Sequence, residues 1–240
     1  MKRQEIDLEG ITTVFIDIDD TLWWFTENSK TAFRHTYDIF NVAEVEPCYE
    51  RFHDIYLDIN HKLWEQYHHG EIEKGFLVSE RFRYTLDKAG YKGDIATLAT
   101  RMNEEYLSFL ATLPLAVPGA LELCQRLTSR GLQVNALSNG FKGVQQGKLD
   151  SSGLSRFITH VVLSDDCGIT KPHRGIFDYA LEVCGACASE VVMIGDNPET
   201  DIQGAHEAGW KTIYFNLRGE PAIAGTADYE VESLGEILNS

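Results

Sequence analysis

Three aspartates, Asp17, Asp19 and Asp20, fall within the stretch FIDIDDTLW between Phe15 and Trp23, directly after an apolar run. Carboxylates are costly to bury unless they are paired, protonated or bound to a cation. Taken alone, Asp17 and Asp19 have a plain reading as a solvated strand end. A second acid-rich stretch, GDNPETD, sets Asp196 and Asp201 behind another apolar run. Two such ends meeting in one sheet make a hard-cation site. Oxygen donors without cysteine or histidine favour Mg²⁺, which keeps several waters and takes one or two carboxylates plus a substrate phosphate. Lys171, in ITKPHRGIF, adds a positive group, and Pro172 biases it toward extended backbone. Ser138, in LSNG, adds a hydroxyl. Alone, each reads as a loop or turn residue. Together, a hydroxyl and an ammonium can hold the oxygens of a phosphoryl group opposite a metal.

The elements that must position these residues are legible as periodicity. Apolar runs at 12–17, 132–140, 160–166, 191–197 and 212–216 end in small or acidic residues. Their continuous Val/Ile-rich character suits parallel strands buried on both faces. Helix-like segments at 118–131, 175–185 and 198–210 alternate with them. The expected fold is α/β: a Rossmann-like, doubly wound parallel sheet. Ligands of such sheets bind beyond the carboxyl ends of the strands. Those ends carry Asp17, Asp19, Ser138, Asn139, Asp165, Asp166, Asp196 and Asn197.

Residues from about 24 to 114 break the rhythm and read as amphipathic helices at 29–42, 47–69, 74–89 and 94–112. This predicts an inserted α-helical cap domain over 23–114, within a core made of 1–22 and 115–240. Phe52, Tyr56 and Phe82 sit at helical spacing and are expected to fill the core of that bundle.

The formal net charge of −16 argues against general electrostatic binding of nucleic acid polymers. No apolar run approaches the roughly 18 residues of a membrane span. The opening MKRQEIDLEG lacks a signal peptide's apolar stretch, and five scattered cysteines suit a reducing compartment, so a cytoplasmic protein is expected. Cys184 and Cys187 form a CxxC, but LEVCGAC reads as a helix ending at Gly185, with no second pair for zinc.

With these residues in order, the chain resembles the haloacid dehalogenase superfamily. Asp17-Ile18-Asp19-Asp20-Thr21 resembles its DxDxT motif, Ser138 its strand-end serine or threonine, Lys171-Pro172 its lysine motif, and Gly195-Asp196 with Asp201 its GDxxxxD motif. The resemblance implies that Asp17 is a nucleophile forming an aspartyl-phosphate, and that Asp19 is the general acid and then base. Mg²⁺ would be held by Asp17, the Asp19 carbonyl and Asp196, with Asp201 in support. Ser138, Asn139 and Lys171 would bind the phosphoryl group. The second aspartate speaks for phosphoester hydrolysis against dehalogenation.

A looser match, LWEQYHHGEIEKGFLVSERF at 63–82, resembles the cap segment of the pyrimidine 5'-nucleotidase branch. The implied partner is a small phosphorylated metabolite, with a nucleoside 5'-monophosphate favoured. A sugar phosphate or phosphoglycolate, a phosphomutase reaction and a non-enzymatic binding role are the alternatives.

Overall fold

The computed structural model describes residues 6–237. Its chain forms two compact units: one takes the residues up to Thr26 and from Pro114 onward, the other runs from Glu27 to Leu113.

The first unit is built on a six-stranded sheet: β1 (Thr13–Ile16), β2 (Gln133–Ser138), β3 (Val161–Leu163), β4 (Val191–Gly195), β5 (Lys211–Phe215) and β6 (Tyr229–Val231). All neighbours are parallel, and the order is β3-β2-β1-β4-β5-β6. This is the doubly wound arrangement expected from the apolar runs. Every residue of β1 and β4 is buried, which is why both read as unbroken hydrophobic stretches. β1 pairs in register with both neighbours, so that Phe15 lies between Asn135 and Met193. Beside it, the rings of Phe15, Trp210 and Phe177 pack in sequence, at 5.1 and 5.3 Å between centroids.

Helices fill the chain order between the strands. α1 (Phe25–Ile39), α2 (Tyr49–His68), α3 (Lys74–Lys88) and α4 (Ile95–Leu110) follow β1; α5 (Ala120–Ser129) precedes β2; α6 (Lys142–Ser151) follows it. The four-residue helix α7 (Ser164–Cys167) follows β3 and leads to α8 (Arg174–Cys184); a π-helical stretch, Pro198–Gln203, and α9 (Gly204–Glu207) follow β4; α10 (Leu234–Ile237) ends the described chain. The helix ending in the CxxC stops at Cys184, and Gly185 takes a left-handed φ of 70° as its cap.

Three details differ from the sequence reading. The run at 160–166 is strand only to Leu163, and Ser164–Cys167 turns helical. Asp165 accepts from the Lys142 backbone N–H, and Asp166 from Lys142 Nζ and the Leu163 N–H. These two acids therefore act as local caps and not as part of the acidic cluster. α6 escaped notice because KGVQQGKLDS holds two glycines and turns polar residues inward, with Gln145 and Lys148 buried beside Leu149. β6, at three residues, is too short to register as a period.

The helical unit has its own aromatic core. Phe33 packs against Phe52 and Tyr56, and Phe82 against Tyr56 and Tyr106, with centroids 4.6 to 5.7 Å apart. Phe52, Tyr56 and Phe82 are buried as their spacing suggested. Among the described residues, no helix is long and apolar enough to cross a membrane.

Candidate active site

The strand order turns between β1 and β4, and both strands end in an aspartate. Asp17 follows β1, and its backbone N–H continues the ladder to Ile194 O at 2.9 Å. The chain bends at Ile18, which is fully buried, as Asp17 nearly is, while Asp19 keeps part of its exposure. The chain then reverses sharply: Leu22 and Trp23 both donate to Ile18 O, and Asp20 adopts a left-handed φ of 59°. A short polar side chain tolerates that region best after glycine. Asp20 is pinned there by the backbone N–H and hydroxyl of Thr26, at 2.8 and 2.7 Å.

Lys171 joins three strands' ends. Its Nζ donates to Asp17 Oδ1 at 2.6 Å, Asp201 Oδ1 at 2.6 Å and Leu137 O at 2.8 Å. That uses all three ammonium protons of a side chain that is almost wholly buried. Burial alone would lower its pKa, but the charges of Asp17 and Asp201 outweigh burial and raise it. Asn139 clamps the Lys171 backbone, donating to its carbonyl at 2.9 Å and accepting from its N–H at 2.8 Å. Asn139 was expected to bind the phosphoryl group itself; both atoms of its amide are instead engaged on the Lys171 backbone. Ser138 Oγ accepts from Gly140 N at 3.1 Å and Gln145 Nε2 at 2.6 Å. With both lone pairs occupied, the hydroxyl proton is what Ser138 can offer to an incoming oxygen.

On the other side, the turn after β4 opens into the π-helical stretch. Asn197 Oδ1 caps it, accepting from Glu199 N and Thr200 N, and Asp201 Oδ2 accepts from Asn197 N at 3.1 Å. The wide turn brings Asp201 inward, nearly fully buried, and such π turns recur at functional sites. Gly195 is needed for this, since a Cβ there would overlap the Asp201 carboxylate.

Asp17, Asp196 and Asp201 each offer one carboxylate oxygen, and these atoms lie within 4.8 Å of one another. Burial pushes the Asp17 carboxyl up to about 7, with Lys171 opposing and the charges of Asp201 and Asp19 adding to it. Asp196 is held well above the usual carboxylate range by burial, then by Asp17 and Asp201, against the pull of Arg218. A buried all-oxygen cluster that resists ionisation fits a hard divalent cation, whose charge would relieve it. Asp201 is the most deeply buried of the three and both its oxygens accept from nitrogens, at 2.6 and 3.1 Å, whereas Asp196 meets Thr21 Oγ1 and Arg218 only at 3.3 and 3.2 Å. The Asp19 carboxylate stands apart from the cluster: Lys148 Nζ donates to its Oδ1 at 2.6 Å and Gln145 Nε2 to its Oδ2 at 2.9 Å.

Three residues at the site carried no signal in the sequence reading. Gln145 and Lys148 belong to α6, and their i,i+3 spacing after LSNG was the available clue. Arg218 follows β5 and donates to Asp20 Oδ2 at 2.6 Å, with Asp196 Oδ2 3.2 Å away. Nothing in its neighbourhood singles it out.

The chain is similar to known proteins in sequence and in fold. The family model for haloacid dehalogenase-like hydrolases matches residues 11–209. The chain belongs to this family. The hydrolase is 31% identical over 226 residues to pyrimidine 5'-nucleotidase YjjG of Escherichia coli, covering 93% of this chain and 95% of that one. It is 28% identical over 228 residues to pyrimidine 5'-nucleotidase PynA of Streptococcus pneumoniae, at 94% and 93% coverage. Its fold is similar to the magnesium-bound crystal structure of the HAD-hydrolase YfnB from Bacillus subtilis, with a TM-score of 0.84, 27% identity, and 95% and 97% of the two chains covered. The doubly wound fold and the enzymatic class expected from the motifs both hold. Within the hydrolase's 63–82 stretch, Leu63, Leu77 and Phe82 are core residues, whereas Phe76 is exposed.

Proposed function

We propose that this hydrolase cleaves small phosphomonoesters through a phosphorylated Asp17. One observation carries the reading: two aspartates two residues apart each meet a lysine at 2.6 Å but differ in burial and in their neighbouring carboxylates. Asp17 sits in the buried cluster against Lys171, while Asp19 is partly exposed between Lys148 and Gln145. Paired carboxylates with divergent environments take different roles.

Asp17 attacks phosphorus, the ester oxygen leaves, and Asp19 supplies its proton. In the second half, Asp19 takes a proton from water as it attacks the aspartyl-phosphate, which releases phosphate and restores Asp17. Lys171 offsets the repulsion between the anionic nucleophile and the anionic ester, and the Ser138 hydroxyl binds a phosphoryl oxygen. Asp17 and Asp196, with the Asp19 carbonyl, would hold Mg²⁺, and Asp201 would support them. When bound, Mg²⁺ supplies charge neutralisation at the phosphoryl oxygens.

For the remainder of the substrate, we assign selection to the helical unit and favour nucleoside 5'-monophosphates. The similarity to two pyrimidine 5'-nucleotidases across nearly the whole chain supports this choice. Asp17→Asn keeps the shape but removes the attacking charge. The folded variant is expected to turn over at background and to carry no acid-stable, alkali-labile phosphate after quenching with labelled substrate. Near-wild-type turnover would sink the mechanism. A panel of phosphate esters tests the substrate. If sugar phosphates or phosphoglycolate exceed every nucleotide tenfold in kcat/KM, about 1.4 kcal/mol of transition-state preference, the nucleotidase reading falls and the phosphatase reading stands.

A further inference from the structure

We infer that Lys148 and Gln145 are positioning residues that hold the Asp19 carboxylate for proton transfer; this rests on the acid–base role proposed for Asp19. The two side chains lie one turn apart on the same face of α6. Lys148 is 3% exposed and Gln145 fully buried, although both come from a helix poor in apolar residues. A lysine is almost never buried this deeply without a paired charge. Lys148 meets Asp19 at 2.6 Å, and its ammonium lies over the Trp23 and Phe25 rings at 4.8 and 5.4 Å from their centroids. At these distances both rings stabilise the cation.

The geometry at Asp19 is specific. Each carboxylate oxygen receives one donor, Lys148 on Oδ1 and Gln145 on Oδ2. Two donors from two directions fix the rotation of the carboxylate plane, which one donor would leave loose. The Gln145 amide also donates to Ser138 Oγ at 2.6 Å. One amide nitrogen therefore ties the phosphoryl-binding hydroxyl to the acid–base group. Gly140 leaves the room for it, since a Cβ there would overlap the Gln145 amide.

Stability gives no separate reason for a lysine here. Asp19 keeps 32% of its side-chain exposure and can be solvated without a partner. Replacing a buried ion-pair partner by an apolar residue of similar volume is costly only when it strands a buried charge. Lys148→Met preserves the flexible stem against Trp23 and Phe25 and strands none. The variant is therefore expected to melt within a few degrees of wild type and to bind Mg²⁺, titrated alone by calorimetry, as wild type does.

Its catalytic defect should depend on the leaving group. An alkyl phosphate needs a proton on its departing oxygen, whereas a nitrophenyl phosphate releases a stable anion. For Lys148→Met, kcat/KM on the alkyl ester is expected to fall by roughly 10²-fold or more, the lower end for lost acid–base catalysis, while the nitrophenyl ester falls only several-fold. Gln145→Met, which removes the donors to Asp19 Oδ2 and to Ser138 Oγ and keeps the lysine, should lower turnover of both esters, that of the alkyl ester more. It provides the test if Lys148→Met does not fold. Equal losses on both esters, or retained alkyl-ester turnover in a folded variant, would overturn the positioning role. A wild-type protein inert toward both esters would instead refute the phosphatase reading, and the positioning role would fall with it.

Discussion

Asp17 and Asp19 face different cations, and their separation governs the chemistry available to each. Asp17 shares Lys171 with Asp201, and burial outweighs that pairing, so its carboxyl titrates near 7. A consequence for stability follows. Between the ordinary value of 3.8 and about 7, the metal-free folded protein holds a proton at Asp17 that the unfolded chain has lost. Stability from this group is therefore present at low pH and lost as pH rises through that window. In excess chelator, the melting temperature of Asp17→Asn relative to wild type is expected to climb from about pH 4 to about pH 7 and to level off above it. A difference that stays flat, measured by scanning calorimetry, would show that Asp17 is ionised throughout. Arg218 belongs to the same balance, reaching Asp20 and lying near Asp196, with its pKa raised by both acids against the cost of burial.

Strands and turns do the positioning. β1 and β4 run side by side and bring Asp17 and Asp196 together from residues far apart in the chain. The π-helical stretch after β4 then swings Asp201 back toward Lys171. Behind the sheet, Phe177 of α8 stands edge-on to Trp210, at 89° between ring planes, and Trp210 packs on Phe15 of β1. A Cβ at Gly204 would meet the Phe177 ring at 2.8 Å and Pro172 Cα at 2.9 Å, so α8, α9 and the Lys171 loop are in close contact there. Phe177→Ala empties the middle of this packing. It is expected to cost about 3–5 kcal/mol in denaturant unfolding, the usual range for a buried phenylalanine. A cost under about 1 kcal/mol would mean that the ring carries little of the load.

Charge dominates the behaviour of the whole molecule. The chain carries a formal net charge of −16, and three of its acids are gathered within one buried cluster. If Mg²⁺ takes the proposed site, it would bind only where that cluster is assembled and so stabilise the folded state by mass action, by about 2.7 kcal/mol at a hundredfold excess over its Kd. The expected result is a melting temperature that rises with Mg²⁺, and phosphatase activity that chelator abolishes and Mg²⁺ restores. Full activity in excess chelator would exclude the metal. The same net charge repels polyanions, which favours small phosphorylated metabolites over nucleic acids as partners.

Much of this is legible in the sequence. Unbroken apolar runs marked β1 and β4 because both strands are buried on both faces, and alternating helices then required a doubly wound sheet. The acids at the strand ends were visible because carboxylates behind a buried strand need an explanation, and four short motifs in register supplied the family. Gln145, Lys148 and Arg218 were not visible. Their roles arise from contacts across 126, 129 and 198 residues of separation, and no local pattern encodes such distances. α6 hid for a related reason: it buries polar groups, and periodicity finds only apolar faces. Asp165 and Asp166 show the converse. By type and position they resembled site residues, but β3 ends three residues early and its helical turn spends them on Lys142 and a backbone N–H. Residue types along the chain thus specified which chemistry was on offer. Which acid meets which cation depended on packing, because the strength of each pairing varies with distance and burial that exist only in the folded chain.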